Sequence, residues 1–358
     1  MLTIAIGRAQ PRGEQLIFGM ARLPNGDIMW ADVDKWITAP LMRTPHISET
    51  SLVWSVDGSQ LFFYQYSYEI PDLSALCVLT LQTRTHQCTT LSNDFSVPRR
   101  MVPSTDGTKV IVGVGNQEGA TDLYVWEVDR SITPLAVMPF RVDNIEWAVN
   151  DVIYVSGNRE DAFRINSVSL NDGAVRTILE MPRSLYVDFW SDLSPDGQAL
   201  AARVPVSNTP CGAAYLYAQG GSCGALYELR VIEFNDLLQN SYEWNSLPTL
   251  NENIFEFAWS DDGDQIAYLQ KDATNLTSNV FTIDLASGSV RQWTNVPAQY
   301  TGIFYSPTEA YLSYMTINPS QHNIIAVNVR PLEESSGPLT LFECLWCTGM
   351  SQAQWRPR

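Results

Sequence analysis

Short apolar runs broken by polar turns recur along the whole chain, while the spacing of an amphipathic helix is nearly absent. Such runs predict strands. Leu61-Phe62-Phe63-Tyr64, Val110-Ile111-Val112, Ile153-Tyr154-Val155, Leu200-Ala201-Ala202 and Ile266-Ala267-Tyr268-Leu269 each follow a polar turn. A strand with period-2 character comes next, as in Asp122–Asp129 and Val280–Leu285, and a further strand ends near Leu or Thr. The turns repeat as well. Their clearest copies are Trp54-Ser55-Val56-Asp57-Gly58, Pro103-Ser104-Thr105-Asp106-Gly107, Leu193-Ser194-Pro195-Asp196-Gly197 and Trp259-Ser260-Asp261-Asp262-Gly263. Weaker copies stand at Ala9–Gly13, Trp147–Asp151 and Tyr305–Glu309, and Trp355-Arg356-Pro357-Arg358 opens one more.

Counted on the Ser position, at 10, 55, 104, 148, 194, 260, 306 and 356, the seven intervals are 45, 49, 44, 46, 66, 46 and 50 residues. Four short strands with tight turns fit that length. The chain is therefore expected to be all-β: a seven-bladed β-propeller of four-stranded antiparallel blades, in one domain, with six or eight blades as the alternatives. The approximate repeats are 1–53, 54–101, 102–146, 147–189, 190–258 (with an inserted loop, 207–224), 259–303 and 304–358. The C-terminal Trp355-Arg356-Pro357 reads as a first strand, while Gln15–Phe18 and Asp27–Asp32 read as later strands of a blade. Pairing the two ends would close the ring and remove exposed sheet edges.

The turn has a physical reason. Asp accepts hydrogen bonds from N–H groups of its own turn, and Gly supplies the positive φ that reverses the chain. A bulky residue just before it, often Trp, fills the gap between neighbouring blades. Because every blade repeats them, Asp57, Asp106, Asp196 and Asp262 are read as structural rather than catalytic. The succession W-S-x-D-G, apolar strand, then an L-Y or I-Y strand resembles the TolB-like, WD-repeat-like propeller repeat over essentially the whole chain. That resemblance is specific for fold and implies no particular activity.

Composition narrows the partners. With 45% hydrophobic and 17% charged residues the chain can bury a large core. Its net charge of -17 and the absence of a Lys/Arg run argue against nucleic acid and anionic membrane surfaces. No segment approaches the roughly 20 apolar residues of a spanning helix. Met1–Ile6 lacks the charged start of a signal peptide and reads as a strand, or alternatively as the stub of an apolar helix. A monomer without direct membrane insertion is expected.

The six cysteines form three local couples: Cys77 with Cys88, Cys211 with Cys223, and Cys344 with Cys347. Cys77 and Cys88 are equidistant from a turn at Gln82-Thr83, so a hairpin sets them opposite each other, a geometry that permits a bridge. A bridge across Gly212–Ser222 would stabilise by roughly 3 kcal/mol in the chain-entropy model. Three bridges imply an oxidising compartment, periplasmic, cell-surface or secreted; buried free thiols in a cytosolic protein are the alternative. Cys344-Leu345-Trp346-Cys347 lacks the context of a thioredoxin motif or of a zinc site.

No catalytic constellation emerges. Gly220-Gly221-Ser222-Cys223-Gly224 satisfies G-x-S-x-G, yet Ala225–Ile232 reads as a strand where a nucleophile elbow needs a helix. Three scattered histidines, His46, His86 and His322, show no ligand spacing, and Asp261–Asp264 lacks the pattern of a calcium loop. No cofactor and no metal site are predicted. What remains is recognition by the loops between second and third strands, which share a face with the links between blades. Tyr66, Tyr68, Glu69, Glu118, Arg159, Tyr215 and Tyr217 lie in these loops, the tyrosines being either aromatic anchors or packing for their own loops. The leading expectation is a non-catalytic protein-interaction or scaffolding propeller acting outside the cytosol. A sugar-binding or hydrolytic propeller using the central channel, and the extracellular sensor domain of a larger membrane-anchored protein, are the alternatives. The long fifth interval, Ser194 to Ser260, carries the functional expectation.

Overall fold

The computed structural model describes residues 14–355 apart from 23–24, 43, 45, 68, 70–72, 93–94, 117, 129, 148–150, 159–161, 183–189, 206–226, 234–235, 237–244, 248–252, 272–276, 296–297, 319–322, 333–338, 344–348 and 351–353. Strands dominate it, and they sort into seven four-stranded antiparallel blades of a β-propeller. The first blade holds β1 (Gln15–Arg22), β2 (Asn25–Asp32) and β3 (Ile37–Met42). The second is β4 (Ser48–Trp54), β5 (Gln60–Tyr66), β6 (Ser74–Thr80) and β7 (Thr85–Thr90). The third is β8 (Pro98–Pro103), β9 (Lys109–Gly115), β10 (Thr121–Glu127) and β11 (Ile132–Met138). The fourth is β12 (Arg141–Trp147), β13 (Val152–Asn158), β14 (Ala162–Ser169) and β15 (Val175–Pro182). The fifth is β16 (Trp190–Leu193), β17 (Ala199–Pro205), β18 (Tyr227–Glu233) and β19 (Asn245–Ser246). The sixth is β20 (Ile254–Trp259), β21 (Gln265–Lys271), β22 (Ser278–Asp284) and β23 (Val290–Gln292). The seventh is β24 (Gln299–Tyr305), β25 (Tyr311–Asn318), β26 (Asn323–Pro331) and β27 (Leu339–Glu343).

The short C-terminal strands β28 (Gly349–Met350) and β29 (Gln354–Trp355) both pair with β1, so the two ends of the chain meet in the first blade as the sequence predicted. By contact the chain divides into two compact units, Met1–Met138 with Phe304–Arg358, and Pro139–Ile303. Among the described residues no helix is long and apolar enough to cross a membrane.

Within each unit the strands are apolar on both faces because both faces are covered. Leu16 and Phe18 of β1 pack with Met315, Val327 and Val329 of the seventh blade, whereas Ile17 between them packs with Leu52, Trp54, Leu61 and Phe63 of the second. Phe62, Tyr64, Leu76 and Val78 turn the other way, onto Val110, Val112 and Trp126 of the third. Fully burying each such side chain stabilises by roughly 1.5–3 kcal/mol. This period-2 division between neighbours is why the sequence shows apolar runs instead of clean alternation. The tryptophans behave as expected of gap-fillers with a polar tip. Trp126 is fully buried and donates to Thr89 Oγ1 at 3.1 Å, and Trp259 donates to the Asp192 carbonyl of the preceding blade at 3.1 Å.

In four of the blades the repeated turn closes one end in one pattern. Ser55, Ser104, Ser194 and Ser260 donate through Oγ to Asp57, Asp106, Asp196 and Asp262 at 2.6–2.7 Å. Each Asp also accepts the N–H two residues on, at 2.9–3.0 Å. Gly58, Gly107, Gly197 and Gly263 all have φ between 63° and 78°. Two of the weak copies keep the positive φ without the glycine: Asp151 takes φ 56° and Glu309 φ 58°. These bonds hold Asp106 at a pKa of about 2 and lower Asp57 and Asp196 as well, with the Ser hydroxyl as the largest cause in each case.

Candidate functional site at the base of the inserted loop

Irregular chemistry gathers at the opposite end of the blades, where first strands begin. Four first strands carry a break in register there: between Thr50 and Val53 in β4, Pro98 and Arg100 in β8, Val142 and Asn144 in β12, and Ile254 and Glu256 in β20. A bulge leaves a residue outside the ladder and re-aims its neighbours. Here it turns backbone carbonyls toward the preceding blade. Gln354 Nε2 donates to Leu52 O at 2.6 Å, Ser51 Oγ to Pro98 O at 2.8 Å, and Arg203 Nη1 to Phe255 O at 2.6 Å.

The last of these seams is the most elaborate. Arg203 sits two residues before the end of β17, and Tyr227 opens β18, so in sequence both flank the loop 207–224 expected as an insertion in the fifth repeat. Although Arg203 is only 8% exposed, its guanidinium is well accommodated: the Phe255 carbonyl accepts from it, and the Tyr227 ring lies 4.4 Å away. Such stacking suits the weakly hydrated guanidinium. On the other side of Phe255, the Lys271 ammonium stands 5.0 Å from the ring centroid. One bulged residue thus holds an arginine by its carbonyl and a lysine by its ring.

Glu256, next along β20, is the acid of this group. It accepts from Thr301 Oγ1 and, at 2.5 Å, from the Gly302 N–H, both on β24. Burial pushes its carboxyl above the usual range, against those bonds and the nearby Arg203 and Lys271 charges. Burial likewise lowers Lys271, with Arg203 adding to the fall and Glu256 opposing it.

Two further acids with raised carboxyls lie elsewhere among the described residues. Glu146 of β12 accepts from Asn144 Nδ2 at 2.8 Å and from the Leu193 N–H at 3.3 Å, and burial together with the Asp192 charge raises its carboxyl well above the ordinary value. Glu49 of β4, 4% exposed, is raised to about 8, chiefly by burial and further by Asp27, with a bond from Thr44 opposing. Among the described residues no three His, Cys, Asp or Glu side chains come together as a metal-holding group.

The residues singled out from the sequence scatter. Tyr66 is half-buried and stacked on Tyr64 of its own strand, with centroids 5.8 Å apart. Glu69 is exposed and meets His46 Nδ1 at 2.5 Å. Glu118 is exposed in a turn where its N–H donates to Asn116 Oδ1 at 3.0 Å. Tyr68, Arg159, Tyr215, Tyr217 and Ser222 lie outside the described residues. Of the cysteine couples, Cys77 and Cys88 face each other across β6 and β7 and form a disulfide; Cys211, Cys223, Cys344 and Cys347 also lie outside. Sequence reasoning missed Arg203, Phe255, Glu256 and Lys271. A signal was present: charged residues end the apolar runs of β17 and β21, and an acid interrupts β20.

No protein-family model matches the sequence, and no curated protein matches it. Solved structures do. TolB from Acinetobacter baumannii is similar at 14% identity and a TM-score of 0.51, covering 96% of this chain and 67% of that one. An oligogalacturonate lyase in complex with manganese aligns at 13% identity and a TM-score of 0.64, over 90% of this chain and 86% of that one. The β-propeller domain of the Trilobed protease from Pyrococcus furiosus aligns at 11% identity and 0.54, over 81% and 86%. At these identities the likeness establishes the β-propeller fold.

Proposed function

We propose that this protein is a binding propeller that recognises a protein partner, outside the reducing cytosol, through the blade end that carries the 207–224 insertion. The observation that carries the reading is the Arg203–Phe255–Lys271 arrangement at the base of that insertion. It breaks the repeat where the repeat length itself breaks, and it concentrates positive charge in a chain of net charge -17. The regular acids of the turns are already engaged in holding their own backbone, which leaves them no free role in chemistry. The Cys77–Cys88 bridge supports an oxidising compartment.

The test is affinity capture from the native envelope with the whole chain, the chain lacking 207–224, and the Lys271→Gln variant. A partner held by the first and lost by the other two is expected. Equal recovery by all three overturns the reading. A second reading, an enzyme, draws on Lys271, since a desolvated lysine beside another cation suits proton abstraction or nucleophilic attack. It also draws on the likeness to a lyase. Turnover of an acidic sugar or peptide that Lys271→Gln abolishes would favour it over the binding role.

A further inference from the structure

We propose that Trp36 is a recognition residue that stacks on an arginine side chain of a protein partner. The proposal stands apart from the reading above, since Trp36 and the Phe255 group belong to different compact units. Among the described residues, four blades join their third and outermost strands by a four-residue turn: 33–36, 81–84, 170–173 and 285–288. The last residue of each turn has a positive φ, 54° at Trp36, 57° at Arg84, 69° at Gly173 and 68° at Gly288. Glycine suits this conformation, because a Cβ there crowds the following carbonyl oxygen. Tryptophan gains little burial in return. Trp36 is 46% exposed and Ile37 beside it 49%, whereas Trp54, Trp126, Trp259, Trp293 and Trp355 are all at 8% or less.

The turn presents the ring from a fixed base. Asp34 accepts from the Glu14 N–H and from the Tyr311 hydroxyl, each at 3.1 Å, and the Trp36 N–H donates to the Val33 carbonyl at 3.2 Å. Such preorganisation lowers the ordering cost of binding. Arginine is the side chain that fits. Indole is the best of the aromatic rings for a cation above its face, and a planar guanidinium stacks flat on it while keeping N–H groups for a carboxylate. Asp34, exposed in the same turn, is such a carboxylate, with lone pairs beyond those its two bonds use. Lys35, the cation of the turn, has its ammonium on Asp32. Ile37 offers apolar surface to the arginine stem, and the net charge of -17 draws basic partners toward the chain. The protein uses the same pairing internally: the Arg291 guanidinium lies 3.7 Å from the centroid of the Trp293 ring.

The experiment follows the whole chain, labelled with fluorotryptophan, by fluorine NMR, the Trp36 resonance being the one missing from Trp36→Phe. Its probes are a blocked hexapeptide of alternating Arg and Ser, the same peptide with citrulline for Arg, a blocked Glu and Ser hexapeptide, and a neutral hexasaccharide. The Arg peptide should shift the Trp36 resonance, and the citrulline and Glu peptides should not. Trp36→Gly should weaken binding about threefold, the effect of losing one exposed cation–π contact. Trp36→Phe should keep part of the affinity. Because glycine suits a φ of 54°, Trp36→Gly should also leave the thermal midpoint unchanged or raise it.

A fall of several degrees in the Trp36→Gly midpoint would make the ring a packing residue and overturn the proposal. So would equal binding of the Arg peptide by folded Trp36→Gly, which would put the peptide elsewhere on an acidic surface. A Trp36 shift caused by the hexasaccharide and not by the Arg peptide would assign the ring to a sugar and overturn the choice of arginine. No shift with any probe at tens of millimolar removes the site. The result is separable from the capture experiment, since these variants leave 207–224 and Lys271 unaltered.

Discussion

Acidic residues serve the repeated turns and the first strands in opposite ways. At the repeated turns, Asp57, Asp106 and Asp196 are exposed, accept a serine hydroxyl and a backbone N–H, and have lowered pKa values. Among the first strands, Glu49, Glu146 and Glu256 are shielded from water and have raised ones, with burial as the largest cause each time. The turn acids occupy one repeat position. The buried acids fall six, two and four residues before the Ser position of their own repeats, so no two share a place. A feature that recurs at one place in four blades answers a need those blades share, the closing of a tight turn. Acids that each occur once, at a cost in desolvation, answer local needs, and it is among them that specific chemistry is to be sought.

The largest expected effect belongs to the buried side. Glu49 has a folded-state pKa of about 8 against 4.5 for an ordinary Glu. Its contribution is fully present below the unfolded value and is lost as pH rises through the folded one. Glu49→Gln, which imitates the protonated acid, should therefore gain on the wild type between pH 4 and pH 9. The gain is up to about 5 kcal/mol, at about 1.4 kcal/mol per pKa unit. Urea unfolding of both proteins across that range measures it. A difference that stays flat would mean that neither burial nor Asp27 governs this carboxyl, and the contrast between turn acids and first-strand acids would fail there.

The same division governs what was legible in the sequence. Four turns with the same Ser and Asp and a run of similar intervals located the strands and the blade number, because a turn is a local problem with few residue solutions. Period-2 packing between neighbours made the strands visible as apolar runs, and it placed Cys77 opposite Cys88 from spacing alone. Pairing of the two chain ends was readable for a related reason, since a first strand without successors needs later strands without a predecessor. The Phe255 group was not readable. It joins Arg203 of β17, Phe255 and Glu256 of β20, Lys271 of β21 and Thr301 of β24, residues that no turn rule or strand period links. Its assembly depends on a bulge, and a bulge is a slip in register that an apolar run does not record.

A smaller effect comes from the turn backbone. Gly197 has φ 70° and nothing within 4 Å of where a Cβ would stand, so Gly197→Ala meets only the backbone penalty of about 1–2 kcal/mol. Glu309 holds the equivalent place in a weak copy at φ 58°. Glu309→Gly should relieve a similar strain, less the entropy that glycine restores to the unfolded chain, for a net gain of about 0.5 kcal/mol. Opposite shifts in thermal midpoint are expected. Equal losses in both would show that the Glu309 side chain contributes more than its backbone costs, and that the weak copies are adaptations rather than erosions of the repeat.

The smallest effect isolates the turn acid itself. Asp106→Ala removes the acceptor for Ser104 Oγ at 2.6 Å and for the Thr108 N–H at 3.0 Å, while leaving Gly107 and its φ of 68° in place. The carboxylate itself is exposed, so the loss should be only about 0.5 kcal/mol near neutral pH. Its pH dependence runs opposite to that of Glu49. A lowered carboxyl stabilises above its unfolded pKa of 3.8, and that contribution fades as pH falls through about 2. The gap between wild type and Asp106→Ala should thus be constant from pH 5 to 7 and close in strong acid, as followed by urea midpoints. A gap that instead widened in acid would mean that protonated Asp106 still holds the turn, and the charge would no longer explain why this residue type recurs there.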